Sequence, residues 1–116
     1  MTPNNIKTVS YFKERYPQFF SEELIEFYCL NGWADLLDSA FDLIAQTDDS
    51  FKLIQVKEKL AGLRIYAKGR DQSKELCNWI MAASYEICSE CSSRDGVTKE
   101  GDYLTTLCKI CREKEE

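Results

Sequence analysis

Four cysteines near the C-terminal end, Cys88, Cys91, Cys108 and Cys111, form two Cys-x2-Cys pairs separated by sixteen residues. This is the spacing of a four-thiolate zinc ribbon, in which each pair makes a tight knuckle that presents two sulfurs. The intervening DGVTKEGDYLTTL can supply a hairpin that brings the knuckles together. Zn(II) suits a soft tetrahedral thiolate cage, and four thiolates leave no open position for water or substrate, so the expected ion is structural and not catalytic. Two disulfides, or redox chemistry at one pair, are the competing readings. The polar start MTPNNIKTVS lacks the apolar run of a secretory signal, and a cytoplasmic chain does not keep structural disulfides oxidised. Cys29 and Cys77 lie in apolar stretches and read as small buried hydrophobes.

A second group of candidates lies in VKEKLAGLRIYAKG, residues 56 to 69. From Phe51 to Lys68 the pattern has period two, and β-branched and aromatic residues flank Leu60, Ala61 and Gly62, which predicts a hairpin over about 51 to 68. A two- or four-residue loop centred on residues 60 and 61 sets Val56 opposite Ile65, Ile54 opposite Ala67 and Glu58 opposite Leu63 on a mostly apolar side. The other side then carries Lys57 opposite Arg64, Gln55 opposite Tyr66 and Leu53 opposite Lys68. Two cations facing each other on a sheet call for an anion. An aspartate of a preceding helix is one source, and a phosphate-bearing or acidic partner is the other. In the second case Lys57, Lys59, Arg64, Tyr66 and Lys68 are the ligand- or partner-binding residues.

Those two groups need elements to hold them. With 116 residues and 44% hydrophobic content, the chain has material for one compact core with a small appended module. Helices are expected at about 3–15, with Thr2 as cap and Pro3 in the first turn, and at 22–30 after Ser21, where Asn31-Gly32 supplies the stop. A third spans 33–46, where Trp33, Leu36, Leu37, Ala40, Phe41 and Ile44 recur at helical spacing and Asp35, Asp38 and Asp42 fall on a solvated face. The last runs over 71–87, capped by Asp71, with Leu76, Ile80, Ala83 and Ile87 as the core stripe and Trp79 and Tyr85 covering neighbours. The predicted class is α+β: helices on a small antiparallel sheet over residues 1–87, then a zinc ribbon and acidic tail over 88–116.

Charge and composition exclude several functions. Fifteen basic against twenty acidic residues give a formal charge of −5, which opposes sequence-independent attraction to nucleic acid. The zinc ribbon carries Arg94, Lys99, Lys109 and Arg112, but Glu90, Asp95, Glu100 and Asp102 offset them. No histidine is present, so the commonest general base and the usual nucleophile pairs are missing, and no phosphate-cradling glycine loop replaces them. An enzyme is not expected. No run approaches the roughly 18 apolar residues of a membrane span.

Taken together, RYPQFF at 15–20, NGWADLLDSAFDLI at 31–44, QVKEKLAGLRIY at 55–66 and the terminal CSEC and GDYLTTLCKIC resemble a family of small phage and prophage proteins without a settled activity. In that family a GW-aspartate-LL helix, a VKEK-x-G-x-LR-aromatic-Y hairpin and a zinc ribbon occur in this order. Val56, Lys57, Glu58, Lys59, Leu63, Arg64 and Tyr66 match the hairpin motif. Ala61 stands where the family usually has glycine, Ser92 replaces a glycine after the first knuckle, and Tyr103 stands where tryptophan is frequent. The resemblance implies a phage or prophage context and a host cytoplasm more than a reaction. The residue types of the hairpin, with the closed metal site, lead to the expectation of a zinc-stabilised, non-catalytic binding protein that blocks a host defence protein or sequesters a small anionic or nucleotide signal. The alternative is a zinc-ribbon adaptor for nucleic acid or protein, with nucleic acid the lesser partner.

Overall fold

In the computed structural model, which describes residues 8–100 and 104–115, helices pack on one face of a three-stranded sheet and a two-stranded ribbon closes one end. The fold is α+β. Helix α1 (Val9–Arg15) opens at Thr8, whose hydroxyl accepts from the Tyr11 amide, so Thr8 takes the capping role assigned to Thr2. The remainder of that expectation, residues 3–7, lies outside the described residues. A single turn (Pro17–Phe19) then leads the chain towards the sheet.

The helix expected at 22–30 does not form. The Ser21 carbonyl and hydroxyl accept from Leu24 and Glu23 in a turn, and the chain then extends into β1 (Glu26–Phe27). β1 runs parallel to β2 (Lys52–Lys59), with Glu26 beside Gln55 and Phe27 beside Val56. Amides of Ile25 and Tyr28 donate to carbonyls of Ile54 and Val56 at 2.7 and 2.8 Å. A partner strand distant in sequence satisfies this backbone as a helix would, and Ile25, Phe27 and Tyr28 suit a strand better than a helix. The extended form also sends Phe27 inward against Phe12 and Phe20.

Helix α2 (Ala34–Thr47) follows the expected periodicity, burying Leu37, Ala40, Phe41 and Ile44 beside Trp33. Phe41 is met edge-on by Phe12, Tyr16 and Phe19, with centroids 5.4–5.8 Å apart. Its far side is not merely solvated. Asp38 accepts from the hydroxyls of Tyr11 and Tyr16 and pairs with Arg15, tying α1 to α2, and Asp42 pairs with Arg15 as well. Burial and this contact with Asp38 push the Tyr16 hydroxyl up to about 12.

Strand β2 pairs antiparallel with β3 (Gly62–Lys68), placing Lys57 opposite Arg64, Gln55 opposite Tyr66 and Val56 opposite Ile65. A bulge at Ile54 corrects the far end: Leu53, not Ile54, faces Ala67, and Lys52, not Leu53, faces Lys68. The bulge keeps both Leu53 and Val56 buried, which strict alternation forbids. Leu60 and Ala61 form the two-residue turn, both with positive φ, of 52° and 68°.

Helix α3 (Asp71–Ala83), followed by a single turn (Ser84–Glu86), covers the open edge of β3. Ser84 Oγ accepts from the Leu63 amide and Met81 Sδ from that of Ile65. Its buried stripe is rotated from the expected one, with Ser73, Cys77 and Ser84 innermost, Leu76, Ile80 and Met81 beside them, and Trp79 71% exposed. Burial pushes the thiols of Cys77 and Cys29 up, to about 11 and 12.

Asp48, not Asp71, organises the start of α3. Its buried carboxylate accepts from the Ser50 amide and hydroxyl, the Arg70 amide and the Ser73 hydroxyl, and pairs with the Arg70 guanidinium. Burial alone pushes this carboxyl up, but the hydrogen bonds outweigh it and hold the group well below the ordinary carboxylate range. A depressed pKa contributes stability above the unfolded value near ~4, lost as pH falls through the folded value. Asp48→Asn is expected to lower unfolding free energy at pH 7 by about 2 kcal/mol and to flatten the acid limb of stability below about pH 4. Urea melts from pH 7 down to pH 3 check both; an equally steep acid limb in the variant refutes the assignment.

Candidate functional site

After α3 the chain enters the first knuckle, where Ser92 and Ser93 close the turn. The Ser92 amide donates to the Cys88 carbonyl at 3.0 Å, and the Cys88 amide to that of Ser93 at 2.8 Å. Ser92 has φ 74° and donates its hydroxyl to the Gly32 carbonyl at 2.7 Å. Strands β4 (Thr98–Glu100) and β5 (Thr105–Leu107) form the ribbon hairpin, and α4 (Lys109–Glu115) follows the second knuckle. The expectation about Tyr103 lies outside the described residues.

The sulfurs of Cys88, Cys91, Cys108 and Cys111 all lie within 4.8 Å of one another, with Cys91 and Cys108 3.6 Å apart. A tetrahedral ion with Zn–S bonds near 2.3 Å requires S···S edges of about 3.8 Å, so the cluster fits a metal ion of that kind. The Cys111 amide donates to the Cys108 sulfur at 3.4 Å, which with the neighbouring thiols pulls Cys108 down to about 7. Cys111 is pushed up, by burial and by the other three thiols. Amides aimed at ligand sulfurs favour thiolate over thiol, as a metal site needs.

The two knuckles are built into the main core. Gly32 donates its amide to the Ser89 carbonyl at 2.7 Å, and a Cβ on Gly32 would sit 2.0 Å from the Cys88 carbonyl oxygen. Only glycine permits that approach. Trp33 donates its indole N–H to the Ile87 carbonyl at 2.9 Å, and Thr106 donates its hydroxyl to the Ala61 carbonyl at 2.6 Å, clamping the β2–β3 turn onto the ribbon. Arg112 is consumed within the ribbon, reaching Thr98, Glu100 and Thr105. A cleft of about 650 Å³ opens between turn and ribbon, but Glu58 and Glu90 line it against a single cation, Lys114.

The second group of candidates lies on the face of the sheet turned away from the core. Lys57 and Arg64 are paired there and half-buried, Tyr66 is exposed, Lys59 lies opposite Gly62, and Lys68 forms an ion pair with Glu23. No carboxylate among the described residues pairs with Lys57, Lys59 or Arg64. Of the aspartates on the preceding helix, Asp38 and Asp42 are bound to Arg15 instead. Instead Arg64 donates to the Tyr85 hydroxyl at 2.8 Å and lies against its ring. Tyr85 covers Gly62, where a Cβ would come within 2.4 Å of the ring, and Lys99 stands over the ring at 4.5 Å.

Sequence reasoning placed Tyr85 as a covering residue but missed Tyr28, Lys99 and Lys52 on this face. Tyr28 was assigned to a helix, and Lys52 enters the face only through the bulge at Ile54. The alternation of β1 could have exposed Tyr28, since Glu26 accepts from Gln55 across the outer face while Phe27 turns inward. No family model matches the chain, and neither does any curated protein or solved structure.

Gly32→Ala is expected to cost about 3 kcal/mol and to release the first knuckle, because the intruded atom is backbone and cannot yield as a side chain would. Its measurement is metal content per chain after gel filtration together with the fluorescence of Trp33 in a Trp79→Phe background. Retained metal and an unchanged Trp33 spectrum contradict the packing described.

Proposed function

We propose that this chain is a non-catalytic binding protein, held together by a structural Zn(II) ion on Cys88, Cys91, Cys108 and Cys111. Its open sheet face, with Lys57, Lys59, Arg64 and Tyr66, takes a small phosphate-bearing, ring-bearing ligand of the nucleotide class. The observation that carries this reading is the pairing of Lys57 with Arg64 without a carboxylate partner among the described residues, beside an exposed tyrosine. Like charges so placed are unfavourable until an anion joins them, a guanidinium grips phosphate through two N–H groups, and a tyrosine ring stacks on a base.

The resemblance to phage and prophage proteins extends the proposal to setting. A protein without catalytic machinery that captures a nucleotide in the host cytoplasm removes a signal from the host, and sequestration is the role we assign. No described helix is long and apolar enough to cross a membrane. A nucleic-acid adaptor built on the zinc ribbon has less support, because Arg112 is spent on the ribbon's own backbone and Lys99 on Tyr85.

Calorimetric titration of the zinc-loaded protein with adenosine 5′-monophosphate tests the reading, with native mass spectrometry of freshly purified protein reading zinc and any retained anion. Lys57→Ala and Arg64→Gln are each expected to weaken binding by about tenfold or more while zinc content stays at one per chain. Lys57 is the cleaner probe, having no hydrogen bond or ion pair among the described residues to lose. Affinity that both variants leave untouched sinks the proposal.

A further inference from the structure

Resting on that reading of the sheet face, we infer that the ligand is a dinucleotide: two bases joined through one phosphate, with Tyr28 and Tyr66 as the base platforms and Lys57 with Arg64 gripping the phosphate between them. The backbone sets this arrangement. Tyr28 follows Phe27 on β1 and donates its amide to the Val56 carbonyl, which brings it alongside Lys57 on β2. Lys57 pairs with Arg64 on β3, and Tyr66 is the next outward residue along β3. The cations therefore stand between two tyrosines separated by two strand spacings, about 10 Å, plus one outward step along the strand.

Three tyrosines border the cations, and two are available for stacking. Tyr85 is already engaged by Gly62, Arg64 and Lys99. Tyr28 and Tyr66 are 52% and 45% exposed, and neither side chain makes a hydrogen bond or ring contact among the described residues. Splayed bases on separated aromatic rings are the way sheet faces hold short single-stranded segments.

The face also limits the ligand's length. Glu26 lies beside Gln55 next to Tyr28, and Glu23 occupies Lys68 at the end beyond Tyr66, so a phosphate displaced from the central pair in either of those directions meets a carboxylate, while at the opposite end Lys99 is engaged on Tyr85 and Lys59 alone is left. The formal charge of −5 opposes a polyanion further. One bridging phosphate suits the face, and a chain of them does not.

The test is fluorescence or calorimetric titration of the zinc-loaded protein with adenylyl-adenosine (ApA), adenosine 5′-monophosphate and the deoxyadenosine decamer. ApA is expected to bind at least about tenfold more tightly than the monophosphate. Tyr28→Ala or Tyr66→Ala should bring ApA down to the monophosphate's level, while Tyr28→Phe and Tyr66→Phe, with zinc content unchanged, retain the ApA affinity. The decamer should bind no more tightly than ApA. If ApA and the monophosphate bind alike while Arg64→Gln still weakens both, the dinucleotide inference is overturned and the anion-binding face stands. Decamer binding at least about tenfold tighter than ApA, with a steep salt slope, overturns the short ligand in favour of single-stranded nucleic acid. If neither small ligand binds, the sheet-face reading falls together with this inference.

Discussion

Close contact between Gly32 and the first Cys-x2-Cys knuckle is the constraint on which the rest of the structure depends. A backbone carbonyl fits against Gly32 only because no Cβ is present, and three hydrogen bonds, from Gly32, Trp33 and Ser92, fasten helix α2 to the knuckle. The ribbon has few buried apolar residues of its own, chiefly Leu107 with two of the cysteines, so burial alone cannot hold it. A metal ion on the four clustered thiols would supply the missing stabilisation, and the knuckle would pass it to the core through Gly32 and Trp33. Thr106 carries it further, to Ala61 at the tip of the hairpin.

That chain of contacts explains where backbone strain is tolerated. Leu60, Ala61 and Ser92 are the described non-glycine residues with positive φ, and all three lie at the junction of hairpin and ribbon. Each costs on the order of 1 kcal/mol, and Ala61 and Ser92 are over-determined by their surroundings. Glu58 accepts the Ala61 amide, Thr106 donates to the Ala61 carbonyl, and Ser92 bonds to Gly32. At Ala61 and Ser92 tertiary hydrogen bonds hold the conformation that glycine would adopt freely.

Legibility from sequence followed the distance over which each interaction acts. Cys-x2-Cys spacing is local, and it marked the four sulfurs that cluster in space. The Lys57 and Arg64 register was local too, because a two-residue turn leaves one pairing that buries both Val56 and Ile65. The segment 22–30 misled because its partner, β2, lies almost thirty residues away, and its caps and acidic first turn are also those of a short helix. Ile54 misled because a bulge has no signature beyond the need to bury both Leu53 and Val56. The acidic face of α2 read as solvated because nothing local shows that Tyr11, Tyr16 and Arg15 converge on Asp38.

Segregation of charge is what gives the sheet face its character, more than any single residue on it. The chain has more acids than bases, and a divalent cation on four thiolates would make it more negative by a further two charges. Yet the acids of α2 and of the loop after it are spent on Arg15 and Arg70, on the helical side of the sheet. Lys52, Lys57, Arg64, Lys68 and Lys99 gather on the outer side, against Glu23 and Glu26. At physiological ionic strength fields are screened beyond about 8 Å, so a small anion seated on Lys57 and Arg64 is governed by its immediate neighbours. A polyanion that extends past them towards Tyr28 or Lys68 meets Glu26 or Glu23, and in every direction it meets the net negative charge. The same charge distribution therefore attracts at contact and repels along the length of a polymer, which is the discrimination a protein needs if it is to hold a short nucleotide without being drawn onto nucleic acid.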